Sequence, residues 1–280
     1  MHAPISSPIL VTGGTGTLGR LVVPRLAGAG HDVRVLSRRP GGGDSGGDGV
    51  ARVTGDLARD EGIDAAVAGA EVVVHLAGSA KGDEVKARHL VRAAAQAGVR
   101  HLVYISVVGA DRIPVAGRLD RAMFGYFASK RAAEEIVAAS GVGWTTLRAT
   151  QFHDLALTTA RQMARLPVIP VPAGAHFQPV DAGEVAERLV ELALGAPAGL
   201  VPDMGGPRVY GMDELLHGYL RATGRHRALV RVPLPGRAAR AVREGANLAP
   251  DRAVGHRTWE DFLAARLGAA SGVDPGVPVA

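Results

Sequence analysis

The chain has 280 residues, 32 Lys and Arg against 27 Asp and Glu, a formal net charge of +5, and no Cys. Without Cys, disulfides, thiol catalysis and Cys-ligated zinc are excluded, so redox chemistry needs a bound cofactor. Basic residues are scattered among acidic ones, which disfavours a nucleic-acid partner. No apolar stretch approaches the roughly 20 residues that span a bilayer. We therefore expect a cytoplasmic protein that binds neither nucleic acid nor membrane.

Short apolar strands alternate with amphipathic helices in the first half of the chain. The pattern predicts strands at 7–11, 32–36, 51–54, 71–76, 101–106 and 144–147, and helices at 18–29, 83–97 and 123–139. Apolar strands separated by helices are typical of a parallel sheet covered on both faces. The fold class is therefore predicted to be α/β, a doubly wound parallel sheet with helices on both faces.

The alternation loosens beyond residue 147. Four prolines between 167 and 179 interrupt the chain before a helix predicted at 182–194. Asp181 as N-cap and Glu184 as the third helical residue resemble a capping box at its start.

The chain length favours one domain over residues 1–280. We expect a core at about 5–150 and a small annex at about 195–280 that covers the substrate. The Gly-rich segment 41–49 is predicted to be a flexible surface loop rather than a domain boundary.

A glycine-rich turn follows the first strand and opens the first helix. Gly13, Gly16 and Gly19 have the spacing G-x-x-G-x-x-G. Glycine lets the backbone approach a pyrophosphate, whose charge meets the helix N-terminus. The candidate phosphate-binding residues are Gly13, Thr15, Gly16, Thr17, Leu18 and Gly19. The alternative is a glycine turn that binds no ligand.

Ser37, Arg38 and Arg39 follow the second predicted strand, where proteins of this fold that bind NAD carry an acidic residue. Two guanidinium groups and a hydroxyl suit the 2′-phosphate of NADP(H), which a carboxylate would repel. NADP(H) is therefore predicted over NAD(H). The alternative is solvated surface charge, since adjacent residues at a strand end point to opposite sides.

Motifs along most of the chain resemble the short-chain dehydrogenase/reductases, in particular their atypical, NmrA-like branch, whose fold is the Rossmann type. These motifs are TGGTGTLG with Arg20 next, Gly55-Asp56-Leu57, His75-Leu76-Ala77-Gly78, residues 104–109 (YISVVG), residues 126–130 (YFASK), residues 147–153 (LRATQFH) and residues 177–181 (FQPVD). The resemblance implies hydride transfer between a nicotinamide and a carbonyl or alcohol carbon.

The resemblance also implies roles for individual residues. Asp56 and Leu57 would lie beside the adenine, Ala77 and Gly78 would line the cofactor cleft, and Ala149 and Thr150 would lie near the nicotinamide. Ser106, Tyr126 and Lys130 occupy the places of the family's catalytic Ser, Tyr and Lys.

The spacing of Tyr126 and Lys130 supports this assignment. Residues four apart share one face of a helix, so an ammonium would lie near the phenol and lower its pKa towards working pH. Lys130 could also bind the nicotinamide ribose, and Ser106 the substrate oxygen at the carboxyl edge of the sheet. The alternative is a surface lysine beside a packed aromatic ring.

Two histidines were weighed as further site residues. We expect His153 to pack before Asp154, a candidate helix cap, with a role as alternative proton donor left open. We expect His75 to be a strand-end residue satisfied by backbone hydrogen bonds. No His, Asp or Glu spacing suggests a metal site.

Three functions are consistent with these residues. The first is an NADPH-dependent oxidoreductase that reduces the carbonyl group, or less favoured the activated double bond, of an apolar small molecule. The second is a non-catalytic NADP(H)-binding redox sensor of the NmrA type, and the third is a nucleotide-sugar epimerase or dehydratase. We expect a monomer, as is frequent in the atypical branch.

Overall fold

The computed structural model describes residues 5, 7–39, 50–79 and 81–271, except for the side chains of 269–271. The Gly-rich segment 41–49 lies outside the described residues, so its loop stays a prediction.

The central sheet has seven parallel strands. They are β1 (Ile9–Thr12), β2 (Val33–Ser37), β3 (Val50–Thr54), β4 (Val72–His75), β5 (His101–Val107), β6 (Trp144–Ala149) and β9 (Gly199–Leu200). Their order is β3-β2-β1-β4-β5-β6-β9, which reverses between β1 and β4. Ligands of open α/β sheets bind at the carboxyl ends of the strands beside such a reversal. The predicted doubly wound parallel sheet is confirmed.

Helices cover both faces because side chains alternate along each buried strand. Ile9 and Val11 pack under α1 (Gly19–Gly28) and α6 (Ala182–Leu194). Leu10 points to the other face, which is covered by α2 (Ile63–Val67), α3 (Asp83–Gln96) and α4 (Arg118–Ala138).

α4 begins five residues before the predicted start at 123. The backbone amide of Gly117 donates to Asp120 Oδ2 at 3.4 Å, so the carboxylate lies at the first turn of the helix. The pattern of apolar residues missed this turn because it extends beyond the sheet and packs on the annex.

The annex comprises α5 (His153–Met163), β7 (Val168–Pro172), β8 (His176–Phe177), β10 (Tyr210–Gly211), α7 (Met212–Ala222), β11 (Ala228–Val232), α8 (Arg237–Arg243), a 3-10 turn (Pro250–Arg252) and α9 (Trp259–Ser271). Trp259, Tyr210 and Leu216 lie in its own apolar core. The chain is therefore divided differently from the predicted boundary at 195. The annex begins with α5, and β9, beyond that boundary, pairs with β6 in the central sheet.

Two details of the proline-rich region differ from the predictions. Pro170 and Pro172 do not end the structure but lie within β7. In the described part of the chain β7 pairs with β11 alone, so it tolerates missing amide donors. Asp181 is confirmed as the N-cap of α6, because its Oδ1 accepts from the amide of Gly183 at 2.7 Å. Glu184 does not complete a capping box, since its Oε1 accepts from the amide of His256 at 2.9 Å.

Candidate active site

The turn between β1 and α1 needs glycine at two positions for packing. Gly13 has a φ of +71°, and a Cβ there would lie 2.7 Å from the amide nitrogen of Ala77. A Cβ on Gly19 would lie 2.2 Å from the carbonyl oxygen of Gly13. At Gly16, by contrast, a Cβ would meet only that oxygen, at 3.3 Å. Glycine at position 16 therefore leaves the turn open towards the cleft.

The N-terminus of α1 is available to an anion. No side chain caps it, and its first turn holds no acidic residue. Thr15, Thr17 and Leu18 lie along the cleft with Gly16. Backbone amides and the helix dipole attract phosphate at such an end. The turn therefore fits the pyrophosphate of a dinucleotide.

A cavity of about 470 Å³ extends from this turn past the carboxyl ends of β2 and β4. It is lined by the residues predicted for the 2′-phosphate and the adenine, Ser37, Arg38, Arg39, Asp56 and Leu57, and by Ala77 and Gly78, which were predicted to line the cofactor cleft. Because β2 ends at Ser37, Arg38 and Arg39 lie in a bend where the alternation of a strand no longer applies. Both arginines therefore line one cavity, which removes the geometric ground for the alternative of solvated surface charge.

Lys130 lies buried beneath the cleft. Its Nζ donates to the carbonyl oxygen of Ile105 at 3.0 Å and pairs with Asp83 Oδ2 at 3.2 Å. It is also 3.3 Å from the point where a Cβ of Gly78 would stand, so it borders the cofactor side of the cleft. Burial lowers the pKa of Lys130, and Asp83 opposes this shift.

Asp83 is the counter-charge that Lys130 requires. Burial raises the pKa of Asp83, but the ammonium groups of Lys130 and Lys86 outweigh burial and hold the pKa below its usual value. The amide of Ser79 donates to Asp83 Oδ1 at 2.8 Å, and the amide of Asp83 donates to Ser129 Oγ at 3.0 Å. The carboxylate is therefore ionised at neutral pH and fixed between α3 and α4.

Ser106 and Tyr126 lie on the same cleft as Lys130. Ser106 is buried, and within the described part of the chain its Oγ has no hydrogen-bond partner. The ring of Tyr126, centred 5.8 Å from Lys130 Nζ, belongs to a residue that is 37% exposed. The three predicted catalytic residues are therefore brought to one cleft, with one oxygen left for a ligand.

The phenol of Tyr126 is less acidic than the sequence predicts. The surrounding protein raises its pKa by desolvation, and the carboxylate of Asp83 raises the pKa further. The expected lowering of this pKa is wrong, because desolvation of the phenol is the largest effect on it and raises the pKa. Tyr126 is therefore a neutral phenol at physiological pH, able to donate a proton.

A buried polar column lies under the carboxyl ends of β1, β4 and β5. Thr12 Oγ1 and His75 Nδ1 share a hydrogen bond of 2.7 Å, and the His75 ring stacks on Tyr104 with centroids 5.4 Å apart. Burial lowers the pKa of His75 to about 3, so the imidazole is neutral. The expected backbone bonds are wrong, since a hydroxyl satisfies one ring nitrogen of His75 instead.

Ala149 and Thr150, predicted near the nicotinamide, line the cleft opposite the glycine turn. Thr150 Oγ1 donates to the carbonyl oxygen of Gln178 at 2.5 Å. Gln178 Oε1 in turn accepts from the amide of Ala249 at 2.8 Å. These bonds join the end of β6 to the annex and fix that side of the cleft.

His153 packs inside the annex and does not line the cleft. Its ring stacks on Phe262 and Trp259, with centroids 5.0 and 6.0 Å away. Burial lowers the pKa of His153 to about 4. Packing is therefore confirmed over proton donation, but Asp154 is not the helix cap, because α5 begins at His153 with Phe152 as its N-cap.

The far end of the cleft is apolar, and sequence reasoning missed the residues that form it. The cleft has a volume of about 660 Å³. Its apolar walls include Met123, Phe124, Phe127, Leu155, Phe177 and Val242. They come from α4, α5, β8 and α8, and no spacing in the sequence relates them.

Two further findings concern the described residues alone. They contain no group of three or more His, Asp or Glu placed to hold a metal ion. None of their helices has both the length and the apolarity to cross a membrane.

Solved structures share this fold. An NADPH-dependent quinone oxidoreductase from Escherichia coli, solved with NADPH, superposes with a TM-score of 0.77 at 18% identity over 92% of this chain and 99% of that one. Triphenylmethane reductase from Citrobacter sp. gives a TM-score of 0.74 at 19% identity over 93% of this chain and 99% of that one.

Two curated proteins are similar in sequence. A (4-alkanoyl-5-oxo-2,5-dihydrofuran-3-yl)methyl phosphate reductase from Streptomyces griseus is 34% identical over 67% of this chain, and the match spans 63% of that protein. A ceramide reductase from Caulobacter vibrioides is 31% identical over 81% of this chain and 74% of that protein.

A family model described as NAD(P)H-binding matches residues 13–193, from the glycine turn to the end of α6. This range contains every residue that the sequence predicts to bind the cofactor. The chain therefore belongs to the NAD(P)H-binding family.

Proposed function

We propose that the protein is an NADPH-dependent reductase that converts the carbonyl group of an apolar small molecule to an alcohol. The observation that carries this proposal is the unpaired, buried Oγ of Ser106 in one cleft with the neutral phenol of Tyr126 and the open side of Gly16. The names of the similar curated proteins, both reductases, support it.

The residues divide the reaction between them. NADPH, when bound, supplies the hydride that reaches the carbonyl carbon. Ser106 Oγ donates a hydrogen bond to the carbonyl oxygen, and Tyr126 gives its proton to that oxygen as negative charge develops there. Lys130 binds the nicotinamide ribose with the N–H that Ile105 and Asp83 leave free. Solvent then reprotonates the phenolate of Tyr126.

The raised pKa keeps Tyr126 protonated, as a proton donor in reduction requires. A phenol that holds its proton at neutral pH is a donor, whereas oxidation of an alcohol needs a base. The apolar walls of the cleft favour a substrate that is largely hydrocarbon.

The preference for NADPH rests on Ser37, Arg38 and Arg39. Replacement of both arginines by alanine should weaken NADPH binding by about a hundredfold and NADH binding by less than about threefold, since charge-assisted bonds to the 2′-phosphate contribute a few kcal/mol. Calorimetric titration of both cofactors measures this. Equal losses for NADPH and NADH would contradict the preference.

The reductase proposal is tested by NADPH oxidation at 340 nm against ketones, quinones and enones. Tyr126→Phe and Ser106→Ala should each lower kcat at least about a hundredfold. Tyr219→Phe is the matched control, because Tyr219 is buried in the annex core. Activity that survives Tyr126→Phe would require another proton donor.

Other outcomes of the assay separate the remaining functions. Comparable affinity for NADP⁺ and NADPH with no turnover of any compound would overturn the reductase in favour of a redox sensor. Tightly retained NAD with conversion of nucleotide sugars would overturn it in favour of an epimerase.

A further inference from the structure

The annex side of the cleft carries two polar side chains in an apolar wall. Its apolar members are Pro172, Ala173, Ala175, Phe177, Leu234, Ala239 and Val242. The polar side chains are those of Arg243, the last residue of α8, and of Asn247, four residues further along the chain. Neither belongs to the cofactor site or to the catalytic group described above.

Asn247 holds an acceptor that the protein does not satisfy. The residue is 1% exposed, and its Nδ2 donates to the carbonyl oxygen of His176 at 2.8 Å. This bond fixes which end of the amide is nitrogen. Oδ1 is buried without a hydrogen-bond donor within the described ranges. A buried acceptor is normally paired, so the wall has a place for a ligand N–H or O–H.

Arg243 supplies a positive charge at the same wall. Its Nη1 donates to the carbonyl oxygen of Leu234 at 2.8 Å, which holds the side chain along the cleft. Among the described residues, no carboxylate forms an ion pair with Arg243, whereas Arg240 on the same helix pairs with Glu244 at 3.4 Å. The cleft lining includes no Asp or Glu in the described chain.

Arg243 and Asn247 both contact the segment that joins β7 to β8. The Cδ of Arg243 lies 3.4 Å from the point where a Cβ of Gly174 would stand, between β7 and β8. Asn247 binds His176, two residues further along. The side chains that carry the cation and the unpaired acceptor therefore lie beside the same short segment, residues 172–177.

We propose that this wall is an anion subsite that selects substrates with an apolar body, a carbonyl group and a terminal carboxylate or phosphate. Arg243 pairs with the anion, and Asn247 Oδ1 accepts a hydrogen bond from a hydroxyl or N–H beside it. The inference rests on the proposed reductase function for the carbonyl group, but not for the anion.

The test measures binding to protein saturated with NADP⁺, so that it needs no turnover. Four probes share one aryl ketone: methyl 3-acetylphenylacetate, 3-acetylphenylacetate, 3-acetylmandelate and 3-acetylphenyl phosphate. Calorimetry should give the anionic probes dissociation constants at least about tenfold below that of the ester. The anion that binds more tightly, carboxylate or phosphate, is the one that the subsite prefers.

Variants assign the preference to the wall. Arg243→Gln should bring anions and ester within about twofold, and Arg243→Glu should make the ester the better ligand. Arg240→Gln, on the same helix, should change nothing. Asn247→Leu, checked for folding by thermal melt, should abolish any advantage of the mandelate over the phenylacetate.

Two results would overturn the inference: the ester binds as tightly as the acids, or the preference for acids persists in Arg243→Gln. A loss of NADPH affinity in Arg243→Gln would also overturn it, because Arg243 would then bind the cofactor. Acid preference without reduction of any probe would instead leave the subsite standing and remove the proposed reductase function.

Discussion

Replacement of Asp83 by asparagine is the sharpest perturbation of the site. The change keeps the shape of the side chain but removes the charge that faces Lys130 at 3.2 Å, where the two side chains are 1% and 4% exposed. Removing one partner of a buried ion pair costs about 3–5 kcal/mol, because the other charge stays buried and uncompensated. At roughly 2–4 °C per kcal/mol for a chain of this size, the melting temperature should fall by about 6–20 °C.

A double-mutant cycle isolates the pair. Lys130→Met alone should also lower the free energy of unfolding. The loss in the double variant, Asp83→Asn with Lys130→Met, should be smaller than the sum of the two single losses by at least about 1 kcal/mol. Asp154→Asn is the control, since its contact with Arg266 at 3.4 Å is at the surface and contributes less than about 1 kcal/mol. Strictly additive losses would refute the ion pair.

The same variant predicts a change in the pH profile of reduction. Tyr126 must hold its proton to donate it, so kcat/KM falls as the pH rises through the phenol pKa. The carboxylate of Asp83 raises that pKa, so its removal should lower it. The alkaline limb of Asp83→Asn should therefore move to lower pH, by about one unit or more. An unmoved limb, or one at higher pH, would refute the electrostatic reasoning.

Two further predictions concern the turn and the annex. Gly16→Ala should lower NADPH affinity at least about tenfold with little change in melting temperature. Gly19→Ala should unfold the protein, because the new Cβ would lie 2.2 Å from a carbonyl oxygen. Similar melting temperatures for the two variants would contradict this. His153 has a pKa near 4 in the folded chain and about 6.5 when unfolded. Because only the unfolded state gains this proton as the pH drops from 6.5 to 4, the free energy of unfolding should fall by up to about 3 kcal/mol over that range. In urea titrations, His153→Phe should reduce this fall with pH, whereas the control His256→Phe, at an exposed position, should not. An unchanged dependence on pH in His153→Phe would argue against a neutral buried His153.

The sheet was predictable because its signals are local. Each buried strand is a short apolar run, and β1 is followed at once by the glycines that define the turn. The helix at 182–194 was predicted to the residue because Asp181 caps it through its own side chain. The annex was not predictable in this way. Its strands β8 and β10 have two residues each, too few to form an apolar run, and its core closes around Trp259.

The candidate site was likewise predictable where local motifs mark its residues and not where packing alone brings them together. Residues fixed by motifs, from Gly13 to Lys130, line the predicted cleft. Asp83 was missed because a carboxylate at the start of a helix is commonplace, and only the packing of α3 on α4 brings it to Lys130. The expected acidic phenol was wrong because burial raises the pKa of Tyr126 and the carboxylate of Asp83 raises it further, and spacing within one helix indicates neither effect.

The different environments of Tyr126 and Lys130 follow from the course of α4. Lys130 lies where the helix still packs against α3 and the sheet, so its ammonium is buried and paired. One turn earlier the helix has passed the sheet, and Phe124 and Phe127 pack on α8 of the annex. The proton donor is thus positioned by the annex and the cation by the Rossmann core. Changes in α8 should therefore alter how a substrate meets Tyr126 without disturbing the ion pair that holds Lys130 beside the cofactor site.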